Sequence, residues 1–209
     1  LAPLLRPGHL PGYLWGAVVP DVRYLAGISR QQTHLPREAV RAWLPVYPHL
    51  RSFILGYQVH CLLDEIDLAR VVGRAFPLSL LAFLRRKGFT AQQMAALVEL
   101  YYLEKPLAAE PVSGGHNPIL DSLGVSAAHT AAMAAALREY LAAPSFHTAL
   151  RAFQQMGLAA DARIEQYIRP ALVLEKHPAL RALLLLAVRR SGLEQLAAAH
   201  VLRGVGGPV

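Results

Sequence analysis

Residues 50–75 read LRSFILGYQVHCLLDEIDLARVVGRA, and the fold class turns on this stretch. Placed on a helix of 3.6 residues per turn, it sets His60 and Asp64 one turn apart on one face, with Asp67 a further turn along. Phe53, Ile54, Leu62, Leu63 and Ile66 make it apolar over much of its surface, so it is expected to be largely buried. Gly56, one turn before His60, leaves room for something to approach. An ionised carboxylate in such a helix must be paired, because an unpaired buried charge is too costly. The helical His-x-x-x-Asp spacing suits a metal, since an imidazole nitrogen and a carboxylate oxygen can converge on one ion. A hydrogen-bonded histidine, or a salt bridge to an arginine such as Arg23, accounts for the same pair.

Outward from this helix, proline and glycine cut the chain into segments of helical length. The stretch through Pro36 is rich in both and is expected to be mostly irregular, with a short helix over 13–18. A helix over 36–43 follows, stopped by Pro45 and Pro48. Pro77 opens another that ends at Gly88, and Thr90 with Gln93 has the pattern of a capping box. Residues 105–124 hold Pro106, Pro111, Gly114, Gly115 and Pro118 and are expected to be a loop, a candidate break between two helical layers. Ser126 should cap an Ala-rich helix to 142, and Pro144 and Ser145 should start the next. Helices over 158–168, 178–190 and 193–202 complete the order.

Ala and Leu dominate, both strong helix formers, while β-branched residues are few. The fold class is therefore all-α, with 1–209 as a single helical domain. Hydrophobic residues make up 54% and charged residues 17%, which excludes intrinsic disorder and fits a large core. The most apolar run, 182–188, lies between Arg181 and Arg189 and is far too short to span a bilayer. The first residues show no basic start followed by an apolar core. Cys61 is the only cysteine, which excludes an internal disulfide and a multi-cysteine zinc site, and is compatible with a reducing, cytoplasmic setting. The net charge of +7 favours anionic partners. Its basic residues are scattered and accompany no nucleic-acid motif, so nucleic acid is not the expected partner.

Two upstream features complete the pattern. An apolar turn, Gly16-Ala-Val-Val-Pro20, runs into Asp21, and His34 follows within Gln32-Thr33-His34-Leu35. Taken singly, Asp21 reads as a helix cap and His34 as a solvated loop residue. Taken together, Leu14-Trp-Gly-Ala-Val-Val-Pro-Asp21, Thr33-His34 and Leu55-Gly-Tyr-Gln-Val-His-Cys-Leu-Leu-Asp64 resemble the zinc-dependent phospholipase C family. The resemblance covers about the first third of the chain, with the metal-site part within 9–70, and the family fold is all-helical.

The resemblance implies that Asp21, His34, His60 and Asp64 ligate one zinc ion and that Asp21 serves as general base for the attacking water. It implies a metal-dependent hydrolase of phosphate esters, with phospholipid head groups among its substrates. Such a centre binds phosphate oxygens, lowers the pKa of bound water and stabilises the developing charge. The chain also departs from the family. Its other zinc ions use an early histidine with the amino terminus, and a later histidine with a His-x-x-x-Glu helix. Here Arg70 stands where a further ligand is expected, His9 lies closer to Asp21 than the early histidine should, and His116 falls in a loop. The aromatic residues of a choline cage are missing, with Val22 after Asp21 and Gln31 before His34. A second reading is therefore a non-catalytic protein with one closed, structural ion. A third is a metal-free helical protein that binds partners or anionic surfaces. His49, His129, His147, His177 and His200 read as helix-end or surface residues, and Cys61 as a small apolar group.

Overall fold

A computed structural model describes residues 5, 7–103, 112, 114–157 and 163–205, and among them every regular element is helical. The N-terminal half holds α1 (Leu10–Val18), α2 (Arg23–Ala26), α3 (Arg30–Thr33), α4 (Arg37–Arg41), α5 (Trp43–Val46), α6 (Arg51–Leu63), α7 (Leu68–Ala75), α8 (Leu78–Arg86) and α9 (Ala91–Leu103). After the next described residues come α10 (Pro118–Ser122), α11 (Ala127–Ala142), α12 (Phe146–Gln155), α13 (Arg163–Lys176), α14 (Pro178–Arg190) and α15 (Leu193–Val205). Short 3₁₀ turns at Val19–Val22 and Pro48–Leu50 link the early elements. No described helix is long and apolar enough to cross a membrane.

The stretch through residue 36 is more helical than its proline and glycine content suggests. Several of those residues act as starts and stops rather than as breakers. Pro11 lies in the first turn of α1, Pro20 in the 3₁₀ turn, and Gly27 ends α2 in the left-handed conformation at φ 65°. Ser29 and Gln32 close a capping box on α3. Pro45 likewise falls inside α5 instead of ending a helix.

The expected single helix over 50–75 breaks into α6 and α7. Asp64 ends α6, and Asp67 turns its carboxylate to the backbone N–H of Arg70 at 3.0 Å, capping α7. A short acid that can bond its own backbone competes with the helix ladder. Asp67 therefore leaves the face that His60 and Asp64 share. The capping box at Thr90 and Gln93 forms, as do the serine caps of α11 and α12. Of the expected loop at 105–124, residues 105–111 and 113 lie outside the described part. Pro118–Ser122 is a helical turn capped by Asn117, and its Ile119 and Leu120 are fully buried. Of the helix expected over 158–168, residues 158–162 lie outside the described part. The described helix α13 runs on to Lys176 with Pro170 inside it, held by Tyr167 and Ala171 against Leu100 and Phe146.

Two of the buried clusters among the described residues are the largest. One gathers Trp15, Val22, Ile54 and Tyr57 with Ile119, Leu120 and Met133. The other gathers Val72, Phe76, Leu84 and Leu97 with Leu184 and Val188. Both draw on sequence before 105 and after 117.

The contact that positions the site is the crossing of α1 and α6. A Cβ on Gly16 would lie 2.0 Å from the Phe53 carbonyl oxygen, and one on Gly56 would lie 2.0 Å from that of Tyr13. Only glycine lets the two backbones touch in this way. The room foreseen beside Gly56 is filled by α1 itself. On another side of α6, α15 packs through Gly204 against Leu62, so the helix is enclosed by its neighbours.

Candidate metal centre

The glycine crossing brings the end of α1 alongside His60. Its Nδ1 meets the Ala17 carbonyl oxygen at 2.9 Å, and a carbonyl can only accept, so Nδ1 carries the proton and donates it. The lone pair is then on Nε2, which points away from α1. His34 arrives from the end of α3. Its backbone N–H donates to the Arg30 carbonyl at 2.7 Å, and the buried Tyr57 hydroxyl donates to the carbonyl of Thr33, tying this turn to α6. Its Nδ1 sits 3.1 Å from the Thr33 hydroxyl, and its Nε2 faces the Nε2 of His60 at 3.1 Å.

Two imidazole nitrogens at that separation need a cation or a proton between them or beside them. In the free protein, one proton on His34 Nε2 can be shared with Asp64, whose Oδ2 lies 3.0 Å from His34 Nε2 and 3.8 Å from His60 Nε2. The spacing also suits a metal, because a tetrahedral zinc with bonds of about 2.0–2.1 Å sets neighbouring ligand nitrogens about 3.3 Å apart. Asp21, delivered by the 3₁₀ turn after α1, completes the group. Ligand atoms of Asp21, His34 and His60 all lie within 4.8 Å of one another, and the cluster could hold a metal ion. Asp64 Oδ2 lies against the same two Nε2 atoms, and away from these residues no other such group converges among the described residues.

Depth within the site is graded. The side chains of His34 and His60 are 7% and 12% exposed, whereas those of Asp64 and Asp21 are 35% and 41% exposed. The imidazoles form a floor and the carboxylates an open rim.

Two arginines flank this rim. Arg30, rather than Arg23, holds Asp64, with Nη2 at 2.7 Å from Oδ2. Burial works against the Asp64 carboxylate. The His34 hydrogen bond and the charges of His60, Arg30 and His34 outweigh it and hold the carboxyl down at about 2. Arg23 is buried, and its Nε stands 4.0 Å from Asp21 Oδ1 without a hydrogen bond. Its guanidinium lies over the Tyr24 ring, 3.8 Å from the centroid, and donates to the Tyr24 hydroxyl.

Sequence reading missed a further carboxyl, one that feels the charge of Asp64. Glu99 on α9 accepts a hydrogen bond from Tyr167 on α13. Burial pushes its carboxyl up against the effect of that hydrogen bond, and the charge of Asp64 adds to the rise. No motif spacing links Glu99 to His60, so only the tertiary fold reveals it.

The remaining candidates stay apart from the cluster. His9 caps α1 by accepting from the Gly12 N–H at 3.2 Å. His116 contacts Asp121 at 2.7 Å, and its neighbour Gly115 accepts from the Trp15 indole at 2.8 Å. His200 meets Glu65 at 3.2 Å. Burial, and next the charge of Asp64, pushes the Cys61 thiol up to about 12, so it packs against the first core as a neutral group.

No protein-family model matches the chain, and neither curated proteins nor solved structures give a significant match.

Proposed function

We propose that the protein is a metal-dependent hydrolase of phosphate esters, of the zinc-dependent phospholipase C type, with Asp21, His34, His60 and Asp64 holding one zinc ion. The pair of Nε2 atoms facing each other at 3.1 Å beneath an open carboxylate rim carries this reading. The Ala17 carbonyl fixes the donor nitrogen of His60 in advance, as outer-sphere partners do for metal-ligating histidines.

Zinc bound there would lower the pKa of a water molecule and polarise a phosphoryl oxygen. The surrounding residues suit that task. Asp21, half exposed, can take a proton from an incoming water. The charges of Asp21 and Asp64 are matched by Arg23 and Arg30, so a divalent ion would leave the site positive and favour an anionic ester. Phospholipid head groups belong to this substrate class.

One observation favours a second reading, in which a single ion serves structure alone. Arg30 already occupies the Asp64 oxygen that a ligand would use, and four protein ligands would close the coordination shell. Turnover of a chromogenic phosphodiester by zinc-loaded protein separates the two. Activity that disappears in His60→Ala and falls strongly in Asp21→Asn supports the hydrolase. A zinc-stabilised protein without turnover supports the structural reading.

A further inference from the structure

A cavity elsewhere in the fold shares no residue with the His–Asp cluster. It measures about 820 Å³ and opens between α8, the end of α13 and α14. Its volume falls in the range of small-molecule sites, about 300–1,000 Å³. Buried Phe89, Leu180 and Ala187 form its floor, with Leu80 and Phe83 along a wall. Leu183 and Leu186, 56% and 44% exposed, stand at the edge, so apolar surface continues from the floor to the mouth. A mostly apolar concavity with a few polar groups at its margin has the make-up of a small-molecule site.

Among the described lining residues the full charges have one sign: Lys87, Lys176 and Arg190 belong to the lining and none is acidic. They come from different segments: Lys87 follows α8, Lys176 ends α13 and Arg190 ends α14. An apolar trough whose described charged lining residues are all cationic is complementary to a molecule with an apolar chain and an anionic head.

We propose that this cavity binds a single-chain anionic amphiphile, a long-chain carboxylate or its close analogue, with the chain on Phe89, Leu180 and Ala187 and the head among Lys87, Lys176 and Arg190. The site is independent of the metal centre and does not rest on its proposed chemistry.

The test uses the full chain and displacement of a fluorescent fatty acid, with saturated carboxylates of increasing length kept below micelle formation. Affinity should rise by about fourfold per added methylene until the cavity is filled, the factor equivalent to ~0.8 kcal/mol per buried CH₂. The alcohol of equal length should bind about tenfold more weakly, because it lacks the charge that the cationic edge holds. Lys176→Glu/Arg190→Glu should weaken the carboxylate and leave the alcohol unchanged. Ala179→Trp, at an exposed lining position, should block both while the far-ultraviolet dichroism and melting point remain those of the parent. Affinity that does not depend on chain length, or equal binding of carboxylate and alcohol, would overturn the proposal. So would a stable dimer in light scattering that Leu183→Glu dissociates, since a second copy would then be the occupant.

Discussion

Gly56→Ala tests the link between helix crossing and metal centre. The added methyl would stand 2.0 Å from the Tyr13 carbonyl oxygen and 2.8 Å from the Ala17 nitrogen. An unstrained carbon–oxygen contact is about 3.3 Å or more, so α1 must retreat by roughly 1.3 Å. Neither contact is with a flexible side-chain end that could swing away. Overpacking of this kind costs about 1–3 kcal/mol, with the upper end apt for a backbone clash. The better helix propensity of alanine returns about 0.5–1 kcal/mol. The net loss is about 2 kcal/mol, or roughly 4–8 °C in Tm for a chain of this size. The same retreat carries Ala17 away from His60, and their 2.9 Å hydrogen bond would lengthen past hydrogen-bonding distance. Loss of such an outer-sphere partner lowers metal affinity by about 10–100-fold. Thermal melts and competition with a chromophoric chelator measure both effects. Gly73→Ala is the control, since a Cβ there meets nothing within 4 Å, and it should be neutral or slightly stabilising. A Gly56→Ala protein with the parent's Tm and zinc affinity would refute the reasoning.

Three further outcomes follow from named contacts. Arg30→Gln releases Asp64 from an exposed ion pair worth about 0.2–1 kcal/mol, so zinc affinity should rise by up to about fivefold in chelator competition. A fall in affinity would show that Arg30 supports the site instead of competing for it. Tyr57→Phe leaves the Thr33 carbonyl without its buried donor and should cost about 1–3 kcal/mol in urea unfolding. Glu99→Gln should be relatively more stabilising at pH 7 than at pH 4. Burial holds the folded-state pKa above the unfolded value, so the folded form binds more protons across that window and loses stability as pH rises through it. A Tm difference between parent and variant that does not change with pH would contradict this.

The helical class was legible because composition and punctuation act locally: alanine and leucine supply propensity, while Ser126, Ser145 and Thr90 mark helix starts with their own side chains. The spacing of His60 and Asp64 was legible for the same reason, since one turn of helix sets it. Asp67 was misplaced because a cap and a helix face look alike until the backbone commits to one. Pro11 and Pro20 were read as breakers although they sit in first turns, where the missing N–H has no partner to lose. Arg30, Glu99 and the Ala17 carbonyl lay beyond reach. Their roles depend on how α1, α3, α9 and α13 pack against α6 and its surroundings, not on any local pattern. Gly56 was the exception, a single residue whose lack of a side chain pointed to a close tertiary approach.

Zinc content per chain, measured by plasma mass spectrometry on protein purified without affinity tag or chelator, tests the metal centre most directly. The parent should carry about one equivalent, and His60→Ala and His34→Ala should carry none while keeping their helical dichroism. A parent that takes up no metal even when zinc is supplied, or variants that hold it as well as the parent, would contradict the account.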